Sequence, residues 1–228
     1  MKIFTYPLGQ LQANCYFLIE GENCLIIDPA DEASFILEEI QRRKLKLVGM
    51  LATHGHFDHV MAAGEIQMSF DVQFYISRED KFLMNRFIET AEYFLGYKPH
   101  LIKPKKIKYL EAGKLRVTSF ESLRVLKTPG HTPGSCCFYL PADLSPVAQT
   151  KGEASANAGF ATPIIFTGDT LFKQGIGRYD FSYSSKEDLN NSLKNLLKLP
   201  KETMVYAGHG EKTTIDKEKK NIPLRFID

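Results

Sequence analysis

Residues Thr53 to His59 read T-H-G-H-F-D-H. Three histidines and one aspartate fall within six residues, from His54 to His59, and the chain has only six histidines in all. Imidazole and carboxylate are the donors that Zn²⁺, Fe²⁺ and Mn²⁺ accept. A solvated loop of unrelated histidines is the plain alternative. At this composition a chance H-x-H-x-D-H has a probability on the order of 10⁻⁴. The stretch therefore reads as the first part of a metal site, and the fold must bring further ligands to it from elsewhere in the chain.

The surrounding pattern is α/β. Lys2–Tyr6, Asn14–Glu20 and Asn23–Ile27 alternate or run apolar, are joined by short turns, and predict an antiparallel meander ending at Asp28-Pro29. Ala33–Arg43 has helical periodicity with Asp31 placed to cap it. Leu45–Ala52 is a short buried strand, so the histidine motif lies at a strand's C-terminal end. Val60–Phe70 predicts a helix, Val72–Ile76 a strand, and Glu79–Leu95 a longer helix with the stripe Phe82, Leu83, Phe87, Phe94 and Leu95. Strand followed by helix, twice over, is α/β in character.

Ile107–Glu111, Leu115–Ser119 and Leu123–Thr128 follow as strands. Then comes T-P-G-H-T-P-G-S, Thr128 to Ser135, two Pro-Gly turns around His131. Ser135–Leu140 and Pro163–Thr167 read as a strand pair, with residues 141–162, rich in Ala, Ser, Gly and Thr, as a flexible hairpin insertion at the far end from His131 and Asp169. Asp169 stands in T-G-D-T-L-F and is followed by the glycine-rich turn G-I-G-R-Y-D. Ser184 or Ser185 caps a helix running to about Leu199. Glu202–Ala207 is a last strand, ending at His209 in G-H-G-E.

His54, His56, Asp58, His59, His131, Asp169 and His209 thus all fall at strand ends or in tight loops, where one edge of a sheet scaffold builds a site. Seven ligands exceed what one ion with open positions takes and suit two ions about 3.5–4 Å apart. His100, in a Pro- and Lys-rich stretch, reads as a surface histidine.

In this order, H-x-H-x-D-H, His131, Asp169 and His209 resemble the metallo-β-lactamase fold across the whole chain. N-C-Y at Asn14 to Tyr16, T-P-G-H-T-P-G-S, T-G-D-T-L-F and G-I-G-R-Y-D are similar to single-domain bacterial hydroxyacylglutathione hydrolase (glyoxalase II)-like proteins. The resemblance implies one αβ/βα sandwich domain over residues 1–228, two mixed sheets face to face with helices outside. It implies a first metal on His54, His56 and His131 and a second on Asp58, His59 and His209. Asp169 and a hydroxide would bridge them, with Asp58 and Asp169 as the catalytic carboxylates. Zn²⁺ is the first expectation, with Fe²⁺ or Mn²⁺ as alternatives.

The reaction implied is hydrolysis of a thioester or related small carbonyl ester such as S-lactoylglutathione. A thiolate leaves unprotonated, so the chemistry needs no general acid outside the ligands. Glyoxalase II proteins carry a C-terminal helical region that binds glutathione, where this chain has nineteen largely charged residues after His209. Arg178 and Tyr179 are candidate substrate contacts, and Phe94, Tyr97 and Tyr179 candidate pocket aromatics, against default roles in loop pairing and packing. The alternative function is a persulfide dioxygenase with one Fe²⁺ on His54, His131 and Asp169. A non-catalytic binding protein ranks lower, because no ligand is missing.

Composition excludes other classes. Apolar residues make up 43%, charged residues 25%, and the formal net charge is +2. The lysine clusters at 103–108 and 217–220 read as solvated faces, so nucleic acid is not an expected partner. The N-terminus does not read as a signal peptide and no apolar run is long enough to span a bilayer. Four cysteines without a C-x-x-C pair predict buried thiols in a reducing, cytoplasmic setting. The expected partner is a small-molecule substrate; oligomeric state is not encoded.

Overall fold

The computed structural model describes residues 1–115, 120–142 and 160–222. The first half forms a six-stranded sheet in the order β1-β2-β3-β4-β5-β6, from Lys2–Leu8, Ala13–Glu20, Asn23–Ile27, Lys46–Leu51, Phe74–Ile76 and Ile107–Tyr109. The first three strands are the expected antiparallel meander, and β3 to β6 run parallel. The second half forms another six-stranded sheet, β14-β13-β10-β9-β8-β7. Its strands are β7 Gly113–Lys114, β8 Arg124–Lys127, β9 Cys136–Leu140, β10 Ile164–Gly168, β13 Met204–Ala207 and β14 Thr213–Thr214. A small hairpin, β11 Leu171–Phe172 and β12 Gly175–Ile176, stands apart from both sheets.

Strand alternation makes the layers. Tyr16, Leu18, Leu25, Ile27 and Leu51 point from the first sheet toward Val125, Cys136, Phe138, Ile164 and Phe166 of the second, and together they form the core between the sheets. The other face of β2, Cys15, Phe17 and Ile19, packs under Ile36 and Ile40 of α1 (Ala33–Arg42) and Ile66 of α2 (Ala63–Ser69). On the far side, Cys137, Ile165 and Val205 meet Leu189, Leu193 and Leu196 of α5 (Lys186–Leu196) and Ile215 of α6 (Ile215–Asn221). The order helix, sheet, sheet, helix is the sandwich that the resemblance implied. Cys136 and Cys137 take opposite faces, and all four cysteines are buried free thiols.

Three expectations need correction. Asp31 does not cap α1: the residue before the helix is Glu32, in left-handed backbone without a side-chain cap, while Asp31 accepts from the Glu32 N–H. The helix expected over Val60–Phe70 is shorter, a 3₁₀ turn at Phe57–His59 followed by α2, because the ligand loop sets the local backbone. The helix expected over Glu79–Leu95 breaks into a 3₁₀ turn at Arg78–Asp80, α3 (Lys81–Asn85) and α4 (Phe87–Leu95). At the break, the Asn85 carbonyl accepts from Lys103 Nζ at 3.0 Å. Ser185 does cap α5, its hydroxyl accepting from Asp188 N–H. Residues 143–159 of the insertion expected over 141–162, and residues 116–119 of the strand expected at Leu115–Ser119, lie outside the described residues.

Candidate metal centre

Four connections deliver the ligands to one edge of the sandwich: the turn after β4, the turn between β8 and β9, and the ends of β10 and β13. The two sheets are joined there by a direct bond, Cys136 N–H to Thr53 C=O at 2.8 Å. All seven residues singled out from the sequence meet there. His54 Nε2 and His131 Nε2 lie 3.1 and 3.0 Å from His56 Nδ1. His59 Nε2 lies 3.4 Å from Asp169 Oδ1 and 3.7 Å from Asp58 Oδ2. His209 Nε2 lies 3.3 Å from Asp58 Oδ2 and 3.8 Å from Asp169 Oδ2, and His131 Nε2 is 3.6 Å from the same Asp169 oxygen. His100 is exposed, away from the cluster, as expected.

The outward nitrogens explain why the inward ones converge. His131 Nδ1 donates to the Arg178 carbonyl at 2.8 Å, and His209 Nδ1 to the Leu11 carbonyl at 3.0 Å. A carbonyl only accepts, so the proton of each ring sits on Nδ1 and the Nε2 lone pair faces the cluster. Thr53 gives its one hydroxyl proton to Asp28 Oδ2, so its oxygen accepts from His54 Nδ1 at 3.1 Å. His59 Nδ1 donates to Asp28 at 3.0 Å. His56 uses its ring the other way round: Nδ1 faces the cluster and Nε2 meets Tyr183 Oη at 2.8 Å. Such oxygen partners on the far nitrogen are what metal-ligating histidines carry.

Burial and charge divide the cluster. Burial, with the neighbouring imidazoles adding to it, pushes His54 well below the usual histidine range and His56 down to about 3. Burial opposes protonation of His59 as well, but the carboxylates Asp58, Asp169 and Asp28 overcome it and raise its pKa. For Asp169 burial works against the charged form, and the surrounding imidazoles, His59 first, still hold it well below the carboxylate range.

The residues fit divalent ions on two observations. Three sets of donor atoms, His54/His56/His131, His54/His59/Asp169 and Asp58/His59/His209, each lie within 4.8 Å of one another. His59 Nε2 and Asp169 Oδ1 are buried at the centre and make no hydrogen bond, although buried polar atoms are almost always satisfied. The cluster is therefore able to bind metal ions.

Two glycines make room for it. A Cβ at Gly208 would stand 2.1 Å from Asp169 Oδ1, and one at Gly177 would stand 1.8 Å from the Asp169 carbonyl oxygen. Asn14, of the N-C-Y motif, holds the same edge: its backbone N–H donates to Gly208 and its amide to the Ala207 and Gly210 carbonyls.

Sequence reasoning missed two supporting carboxylates. Asp28 was read only as a strand end, yet it binds Thr53 N–H, Thr53 Oγ1 and His59. Asp80, buried, accepts from Gly55 N–H at 2.8 Å, Thr132 Oγ1 at 2.7 Å and Gly134 N–H at 2.7 Å, tying the His54 loop to the His131 loop. The two Pro-Gly turns were the signal available for Asp80, since rigid turns leave N–H groups that need an acceptor. Of the two candidate substrate contacts, Arg178 pairs with Asp180 at 2.9 Å and lies over the Phe181 ring, and Tyr179 has Lys186 Nζ 5.8 Å from its ring centroid. Neither lines the cleft beside the cluster, which Phe94 does.

Over residues 8–143 and 160–209 the chain matches the profile of the Metallo-beta-lactamase superfamily. The chain belongs to this superfamily. It is 35% identical to hydroxyacylglutathione hydrolase GloC of Haemophilus influenzae, covering 98% of each chain. It is 34% identical to the probable metallo-hydrolase YqgX of Bacillus subtilis, covering 98% of this chain and 97% of that one. Among solved structures it is similar to TTHA1623 in a di-iron-bound form, at 34% identity and a TM-score of 0.80, covering 97% of this chain and 99% of that one. Membership makes it a metal-binding hydrolase of that superfamily. Among the described residues no helix is long and apolar enough to cross a membrane.

Proposed function

We propose that this chain is a single-domain, binuclear metal-dependent hydrolase of thioesters or related small carbonyl esters. The observation that carries the reading is the convergence of five imidazole nitrogens, each with an oxygen partner on its other ring nitrogen, around the shared carboxylate Asp169. His54, His56 and His131 would hold one ion, Asp58, His59 and His209 the other, and Asp169 both. Bound divalent ions, Zn²⁺ first and Fe²⁺ or Mn²⁺ next, would supply a hydroxide near neutral pH and polarise the carbonyl.

The chain's own part is placement. Asp28 and Asp80 fix the ligand loops, and Gly177 and Gly208 let the backbone close on Asp169 without a side chain in the way. Asp58 and Asp169, set among the ring nitrogens of His59, His131 and His209, would be the catalytic carboxylates. A thiolate departs without a proton, so no further acid is required of the protein. The full-length match to a relative named hydroxyacylglutathione hydrolase supports a glutathione thioester among the substrates. The one-iron dioxygenase reading uses His54, His131 and Asp169 from the same cluster and leaves Asp58, His59 and His209 without a task.

The test is hydrolysis of S-lactoylglutathione, followed as thiol release, before and after chelation. Turnover that chelator removes and added metal restores is the expected result. Metal-loaded protein that leaves S-lactoylglutathione and a panel of simple thioesters intact would refute the proposal.

A further inference from the structure

A cleft of about 510 Å³ lies beside the cluster, between α3 and α4 on one side and the 181–183 loop on the other. Tyr183 forms the wall shared with the cluster. Its hydroxyl is 2.8 Å from His56 Nε2, its ring stacks on Phe181 at 5.4 Å and 13°, and Phe82 meets it edge-on at 5.3 Å. Phe181 in turn touches the ligand rings of His56 and His131, with centroids 5.2 and 5.8 Å apart. On the opposite side Phe94 stacks on Phe57 of the histidine motif at 5.8 Å and 18°, while remaining 52% exposed.

Arg86, where α3 ends and α4 begins, lines this space together with side chains of both helices. The ionic side chains lining the cleft are one of each sign, Arg86 and Glu89. Arg178 is neutralised by Asp180. The surface is thus rich in aromatic faces and balanced in charge, next to the reacting centre. Exposed aromatic area of this kind gains from being covered by apolar surface, and aromatic walls favour a flat ring stacked or set edge-on.

We propose that the cleft receives an uncharged aryl group of the substrate, with Phe82, Phe94 and Tyr183 as specificity-determining residues. The proposal rests on the hydrolase reading above. The aryl group could enter on the acyl side or the thiol side of the thioester, and three substrates separate these. They are the benzoyl thioester of 2-mercaptoethanol, the acetyl thioester of benzyl mercaptan, and the acetyl thioester of 2-mercaptoethanol.

One aryl substrate should exceed the aryl-free one in kcat/KM by about 10-fold or more, the gain a hydrophobic pocket supplies. Thr90→Trp, which fills the cleft, should bring that ratio to within about 2-fold. A ratio near unity in the wild type, or one that Thr90→Trp leaves unchanged, overturns the proposal while the hydrolase reading stands.

A binding measurement separates the two failures. The chain contains no tryptophan, so Phe94→Trp, or Tyr93→Trp at a more exposed position, provides a single tryptophan at the cleft that can be excited apart from the tyrosines. Benzyl 2-hydroxyethyl sulfide should change its emission saturably, and methyl 2-hydroxyethyl sulfide should not. If no thioester is cleaved but the benzyl sulfide saturates, the hydrolase reading fails and the aryl site stands. If neither sulfide gives a saturable change in either reporter, the aryl site is refuted.

Discussion

Two of the three imidazoles in the His54–His56–His131 half of the cluster are almost wholly buried, and no carboxylate belongs to that set. The Asp58–His59–His209 half joins a carboxylate to its imidazoles, and His209 is 29% exposed at the side chain. Burial and neighbouring rings keep His54 and His56 neutral, so their lone pairs stand ready. In the other half burial opposes protonation of His59 and His209, but carboxylates raise both. Metal binding needs neutral imidazole. His54 and His56 are therefore a preformed neutral pair of donors, whereas a metal ion on the second half would compete with the proton that the carboxylates favour on His59. Asp169, between the two, ties them together.

The largest expected effect comes from removing a donor that serves both the first half and the set around Asp169. His54 belongs to two of the three donor sets, so His54→Ala should cut thioesterase kcat/KM by about 10³-fold or more, roughly 4 kcal/mol of barrier. Retention of full activity would break the comparison. His209→Ala touches the second half alone. Elemental analysis should then find one ion per chain remaining, and loss of both would show that the halves do not load separately.

Asp80→Ala removes three hydrogen bonds to a buried carboxylate behind the first half. It should cost about 3 kcal/mol of stability, read as a shifted urea midpoint. Tyr183→Phe takes away only the partner of His56 Nε2. Competition with a chelator should show about 10-fold weaker binding of the first-half ion and no change in the second.

The smallest effect separates acid loss of metal from acid unfolding. Glu39, remote from the site, is held at about 2 by the hydrogen bond from Tyr6 and by Arg43 and Arg42, against an ordinary 4.5. A folded-state pKa below the unfolded one contributes stability that is complete above about 4.5 and lost as pH falls toward 2. Glu39→Gln should flatten the stability profile over that window and leave the pH dependence of metal release unchanged. Thermal unfolding against pH checks the first, and metal retention against pH the second.

The cluster was legible because its signal is chemical: histidine and aspartate are scarce enough that seven of them at strand ends carry meaning without coordinates. The meander, the sheet strands and the Ser185 cap were legible because strand alternation and capping are local rules. What escaped was set by distant contacts. The apolar stripe from Phe82 to Leu95 gives no sign that Lys103 meets the Asn85 carbonyl where the helix breaks, between the two helices that line the cleft. Asp28 and Asp80 looked like turn and helix-start residues, because their partners lie 25 to 54 positions away. The hairpin of β11 and β12, and α6 with its buried Glu218 accepting from Gln174 N–H, likewise owe their places to tertiary bonds.

The most direct test is the metal content of protein purified without oxygen, by elemental analysis. Two divalent ions per chain are the expected result. One iron per chain, with oxygen consumed on glutathione persulfide, would contradict it and assign the cluster to dioxygenase chemistry.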